Sequence, residues 1–246
     1  MRRFLCILAA GLFSVSAAAA QDSAWTDLFA NGLEAFKGPK LGDWHITTEV
    51  GLDPANPKKL VAKQGKGEGD IWINGAKGRT NDLYTKGKFG DVEVTLEFMM
   101  SKNSNSGIKF HGHYEIQICD SFGKQKIDGS DCGGVYPRAE SKGGYRHIDH
   151  GIAPLVNACK APGEWQKLDI VFLAPRFDKD GKKTASARLP KVHLNGKLIH
   201  DDVEVKTPTG DRWQNKEMAE GPIMLQGDHG PVAFRNVKVR AVAAAK

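Results

Sequence analysis

From residue 24 onward, short runs of alternating apolar and polar residues recur between clusters of Gly, Asn, Asp and Pro. Successive side chains on a β-strand point to opposite faces, so this period of two predicts strands with one face toward a core. The clearest run is 91–100, where Val92, Val94, Leu96 and Phe98 alternate with Glu93, Thr95 and Glu97. Further strands are predicted at 25–29, 42–50, 71–73, 167–173, 191–194, 197–200, 222–226 and 232–239. Asn195-Gly196, between two of these runs, is the clearest hairpin signal, and Asn31-Gly32 marks a turn. Pro54 and Pro57 put 53–57 in a loop, because proline gives a sheet no ladder donor. Neither an amphipathic helix of useful length nor an internal repeat is present.

The stretch 105–120 is organised differently. Read as one strand, it places Tyr114, Ile116 and Ile118 on an apolar face and His111, His113, Glu115, Gln117 and Cys119 on the other. Imidazole and carboxylate groups in line serve proton transfer or metal ligation, whereas a strand that only covers a core tends to show Thr, Lys or Ser outward. Pairing with 91–100 would bring Glu97 to this row. The region 121–162 is long, Gly-rich and without period, yet holds Tyr136, Tyr145 and His147; such a segment is expected to wall a site. Asp120 falls on the opposite parity from Glu115, which suits a loop cap as well as catalysis.

Two motifs are discounted. Gly65, Gly67 and Gly69 lack the Gly-Lys-Ser/Thr and helix of a phosphate loop, so a flexible hairpin is expected there. Asp178-Lys179-Asp180-Gly181 lacks the distal Glu of a calcium loop and reads as a hairpin turn. A Ser nucleophile elbow, a zinc-protease motif, a CxxC pair and a dinucleotide fingerprint are all missing.

Arg2 and Arg3, an apolar run over 4–15 and the small residues 16–20 have the form of a secretory signal peptide cleaved near Ala20. Residues 21–246 would then form one exported domain, periplasmic or extracellular, with no integral membrane segment. That domain keeps Cys119, Cys132 and Cys159; Cys132–Cys159 is the pairing expected if a disulfide forms, and three reduced thiols are the alternative. The formal charge of +6 includes Arg2 and Arg3, and the lysines are scattered among Asp and Glu, which argues against nucleic acid as a partner.

Leu28-Phe29 with Asn31-Gly32, Asn105-Ser106-Gly107, Tyr114 to Ile118 with Asp120, Gly163-Glu164-Trp165, Leu194-Asn195-Gly196, and Leu225-Gln226 with His229 through Asn236 occur in this order. The set resembles the 3-keto-disaccharide hydrolase domain family, also described as 3-keto-glucoside-1,2-lyase/3-keto-2-hydroxyglucal hydratase. The resemblance implies an all-β, concanavalin A-like (laminarinase-like) jelly-roll sandwich and a carbohydrate substrate cleaved by β-elimination and hydration. Glu115 and Gln117 lie within the matching motif, while His111 and His113 stand at positions expected to vary in that family. For this chemistry Glu115, His111, His113, His229 and Asp120 are the candidate acid/base groups. Gln117, Gln226, Arg235, Tyr136, Tyr145, His147 and Glu97 are candidate substrate contacts. His111, His113 and Glu115 could together hold a divalent metal ion. Aromatic platforms are expected from Trp72, Tyr136, Tyr145 and Trp213, with Trp25, Trp44 and Trp165 in the core. A lectin-like binding module is the alternative. Conventional glucan hydrolysis ranks third, because Gln117 stands where a second carboxylate would be needed.

Overall fold

The structure, a computed structural model, describes residues 24–37, 42–63, 65, 66 and 68–242. The expected signal peptide, Cys6 and Gly67 lie outside them. Among the described residues every regular element is a strand, and no helix is long and apolar enough to cross a membrane.

The larger sheet runs, in spatial order, β17 (Lys197–Val205), β16 (Ala187–Leu194), β13 (Gln166–Leu173), β8 (Val92–Met100), β19 (Val232–Ala241), β6 (Ile71–Ile73) and β3 (His45–Thr47). β1 (Thr26–Asp27) also pairs with β19. The smaller sheet runs β10 (Tyr114–Cys119), β9 (Asn105–Phe110), β18 (Ile223–Leu225), β7 (Leu83–Thr85) and β2 (Phe36–Lys37). Separate ribbons are β4 (Glu49–Asp53) with β5 (Asn56–Lys63), β11 (Ala139–Glu140) with β12 (Arg146–His147), and β14 (Arg176–Phe177) with β15 (Lys183–Ala185).

The alternation that predicted the strands also explains why the sheets stack. Val92, Val94, Leu96 and Phe98 of β8 meet Ile108 and Phe110 of β9 and Tyr114, Ile116 and Ile118 of β10 in one buried cluster. Phe110 stacks on Phe172 across that interface, with ring centroids 4.4 Å apart. A second cluster, Leu60, Ile71, Ile73, Met99 and Ala233, packs with Val50 and Leu52 of the β4–β5 ribbon. The result is the antiparallel jelly-roll sandwich that the resemblance implied.

Several local expectations are corrected. Residues 105–120 form a hairpin, not one strand: His111 and Gly112 take positive φ (55° and 69°), and His113 N–H donates to Phe110 C=O at 2.9 Å. Two such residues in succession reverse the chain. β8 therefore does not pair with this stretch; it pairs with β13 and β19, placing Glu97 opposite Lys167 and Arg235. β5 and β6, which flank the Gly65–Gly69 motif, pair with other strands and not with each other, so the hairpin expected there is not formed. Of the tryptophans expected inside, Trp44 is buried and Trp165 packs, partly buried, against the second cluster with Arg235 over its ring, whereas Trp25 is 42% exposed beneath Arg240. Trp72 packs on Phe29 instead of offering a platform. Cys119, Cys132 and Cys159 are free thiols, so the expected Cys132–Cys159 disulfide is not formed; a hydrogen bond from the Cys132 thiol draws the Cys159 thiol down to about 7.

Candidate active site

The β9–β10 hairpin supplies the floor of a cleft of about 450 Å³. Its register sets Lys109 opposite Glu115 and Gly107 opposite Gln117. Across this pair, Lys109 Nζ lies 3.0 Å from Glu115 Oε2, with Glu115 only 3% exposed. Gly107 makes that position available, because a Cβ there would come 2.4 Å from Glu115 Oε1. On β9's other side, Met224 of β18 is Lys109's register partner, and Gln226, Asp228 and His229 follow β18 into the cleft.

The walls come from two loops. The chain from 133 to 136 lies against β10 as an added edge: Gly133 N–H donates to Gln117 C=O, Gln117 N–H to Gly134 C=O, and Tyr136 N–H to Glu115 C=O. These bonds, at 2.8, 2.9 and 3.1 Å, fix Tyr136 beside the floor. Thr209 locks the second wall: its hydroxyl donates to His113 C=O (2.8 Å) and accepts from Glu115 N–H (3.2 Å). Gly210, Asp211 and Arg212 continue that wall, and Asp82 closes the site from the β6–β7 connection.

The electrostatics are shaped by burial. Burial pushes the Glu115 carboxyl up, and the Lys109 ammonium opposes it. Burial also works against the Lys109 charge, but Glu115, then Asp82 and Tyr84, hold its proton, so Lys109 is the fixed cation of the floor. Burial, then the Arg212 charge, lower His113, leaving a neutral imidazole whose buried Nδ1 has no hydrogen-bond partner. His229 is raised by its bond to Asp228 and favours the protonated form. Asp82 is raised by burial. The cleft thus holds an imidazole that burial turns toward its neutral form, a second that Asp228 turns toward its protonated form, and a buried cation–carboxylate pair.

Of the residues expected from sequence, Glu115, His113, His229, Gln226, Tyr136 and Tyr145 meet in this cleft. His147 stands behind Tyr136, with Nε2 3.0 Å from the Tyr136 hydroxyl. Gln117, on the same face of β10 as Glu115, is buried with its Oε1 without a partner and does not line the cleft. His111 is not brought in: its ring packs edge-on against Phe172 and Tyr114 in the core, at 5.2 and 5.9 Å. Asp120 accepts the N–H groups of Asn103 and Phe122 and caps a loop. Glu97 and Arg235 pair with each other on the larger sheet, with N–O distances of 2.7 and 2.8 Å. The proposed His111/His113/Glu115 metal triad is therefore not assembled, and among the described residues no group of three His, Cys, Asp or Glu side chains could hold a metal ion. Lys109, Asp82, Asp228, Thr209 and Arg212 were not singled out from sequence. Lys109 shares the parity of Glu115, which is the one signal that could have found it.

A jelly-roll sandwich with a polar, titratable cleft on its smaller sheet is the class defined by these observations. The chain belongs to the 3-keto-alpha-glucoside-1,2-lyase-like domain family, whose profile matches residues 24–240. Among solved structures it is similar to a protein from Parabacteroides distasonis ATCC 8503 provisionally designated a glycosyl hydrolase: 26% identity, 89% of this chain and 84% of that chain covered, TM-score 0.59. A second protein from the same organism, with the same provisional designation, shares the fold at 19% identity, 89% and 100% coverage and TM-score 0.54. Comparison with curated proteins finds no match.

Proposed function

We infer that this chain is a carbohydrate-active enzyme that cleaves 3-keto-glycosides by elimination and then hydrates the product, giving net hydrolysis. The observation that carries the reading is the buried Lys109–Glu115 pair on the floor of a cleft that also holds His113 and His229. Family membership supports the substrate class.

A carbonyl at C3 makes the C2 proton acidic, because the electron pair left behind delocalises into an enolate. The reaction needs a base, a cation for the enolate oxygen and an acid for the leaving oxygen. His113, held neutral by burial, takes the C2 proton. The C2–H electron pair forms the C2=C3 enolate, whose oxygen is stabilised by the Lys109 ammonium. As the enolate collapses to a C1=C2 double bond, the C1–O bond breaks with its electrons, and His229 protonates the departing oxygen. Water then adds at C1 and the proton returns to C2. Glu115 positions Lys109, while Tyr136, Tyr145 and Gln226 face the sugar. Export through residues 1–20 belongs to the same proposal, and N-terminal sequencing of protein recovered from the periplasm or medium tests it.

Matched chromogenic substrates test the reaction: a 3-keto-glucoside and its unoxidised parent, in both anomers. Release from the keto substrate alone is expected. Release from the parent would install conventional hydrolysis, and binding without release from either would leave a lectin-like module.

A further inference from the structure

We propose that Tyr136 is a catalytic residue whose hydroxyl donates to the enolate oxygen alongside Lys109, and that His147 is the positioning residue that turns this hydroxyl toward the cleft. The inference rests on the reading of the cleft given above and adds a second donor, with its support, to it.

Tyr136 is half-buried and reaches the cleft from a fixed backbone. Its N–H is bonded at 3.1 Å to the C=O of Glu115, the residue that holds Lys109. The chain then enters the β11–β12 ribbon, in which Ala139 pairs with His147 and Glu140 with Arg146. Gly143 and Gly144 make its turn, with φ of 79° and 110° that a side chain rarely tolerates. Two further bonds tie the ribbon down. Ile148 N–H donates to Arg138 C=O at 2.9 Å, and the Ser141 hydroxyl donates to Asp211 of the opposite wall at 2.7 Å. The ribbon thereby brings His147 back onto Tyr136, its ring edge-on with centroids 5.2 Å apart.

The polar atoms decide what this contact does. His147 Nε2 lies 3.0 Å from the Tyr136 oxygen. A phenol has one proton to donate and two lone pairs to accept with. With the His147 proton on Nε2, which is the form assigned here, the imidazole donates to the phenol oxygen and the Tyr136 proton must point elsewhere. The Tyr145 oxygen is 3.4 Å away, beyond the roughly 2.5–3.0 Å of an O–H···O bond, so that proton is left for a substrate oxygen in the cleft. Burial pushes the Tyr136 phenol up, so it remains a neutral donor where the cleft histidines titrate. The Glu115 charge acts on the Tyr136 hydroxyl, as expected of a group beside the floor pair. Preorganised donors aimed at developing charge lower the barrier most when more than one converges, and Tyr136 supplies the partner that Lys109 lacks.

The test separates enolate formation from cleavage. The probe 3-keto-1-deoxyglucose has no leaving group at C1, so exchange of its C2 proton in D2O, followed by NMR, reads the enolate alone; a 3-keto-glucoside reads turnover. Tyr136→Phe removes only the hydroxyl and should slow exchange and kcat by about 10²–10³-fold, the loss typical of one oxyanion donor, with KM within about threefold. His147→Leu should slow both by about tenfold, and His147→Gln, which keeps an N–H, should restore most of that loss. In the Tyr136→Phe background His147→Leu should cost less than about twofold more, because it acts through the missing hydroxyl. A His147 that only braces the ribbon would lower Tm and cost the same in either background. That result, or exchange by Tyr136→Phe within about twofold of the wild type, overturns the proposal. Wild-type protein that catalyses neither exchange nor turnover overturns the reading of the cleft itself.

Discussion

Replacing Lys109 by Met tests the floor of the cleft most directly. The substitution keeps the apolar stem and removes the charge, leaving the Glu115 carboxylate 3% exposed with no cation at 3.0 Å. Breaking a buried pair by removing one partner costs about 3–5 kcal/mol, because the remaining charge is desolvated and uncompensated. Lys109 keeps 20% of its side-chain exposure, so water reaches the pair and the low end, about 3 kcal/mol, is expected. For a chain of this length that corresponds to a fall in Tm of roughly 6–12 °C. The second half of the test is Lys109→Met with Glu115→Leu. Removing both charges together is often neutral or stabilising, so the double variant should recover most of the lost Tm. Activity should not recover, since the enolate would still lack its cation. Thermal unfolding followed by circular dichroism, alongside turnover of a 3-keto-glucoside, reads both quantities. A single variant as stable as the wild type, or a double variant no better than the single, would refute the electrostatic account of the floor. A double variant with normal turnover would remove Lys109 from the chemistry.

Other outcomes follow from the same geometry. Gly107→Ala brings a Cβ to 2.4 Å from Glu115 Oε1 and displaces the carboxylate; misplacement of this order costs about 10²-fold in kcat/KM, so a variant with normal kinetics would show that the pair's position is unimportant. For pH dependence, the base must be neutral and the acid protonated. Activity should rise through a His113 pKa below 6.5 and fall through a His229 pKa above 6.5. Asp228→Asn removes the largest cause of the raised His229 value, so the falling limb of kcat/KM against pH should move to lower pH, and a fixed limb would exclude His229 as the acid. Because the His111 ring is packed against Phe172, away from the cleft, treatment with EDTA should change turnover less than twofold; loss restored by a divalent cation would point to ligands other than that triad.

Much of the architecture was legible in the sequence because period-two burial is a local property. Val92, Val94, Leu96 and Phe98 needed no partner to be read as one face, and Asn195-Gly196 announced its hairpin by composition alone. The acid/base chemistry of the Glu115 region was visible for the same reason. What the sequence could not determine was where the chain turns when the turn lacks its usual signature. His111-Gly112 reverses the chain with a histidine at positive φ, so a hairpin looked like one strand and His111 appeared beside Glu115 when it belongs to the core. Lys109 had the right parity, yet a lysine on a strand face normally reaches water. Only closure by the 133–136 and 209–212 walls converts it into the partner of a buried carboxylate. Asp82, Thr209, Arg212 and Asp228 are distant in sequence from the floor they surround. Their selection depended on strand order: β18 sits beside β9 and β7 beside β18 in the smaller sheet, while β8, with Glu97, belongs to the other sheet. Side-chain alternation is set by each strand's own backbone geometry. Which strands become neighbours is set by packing of the whole sandwich, and that decided the composition of the site.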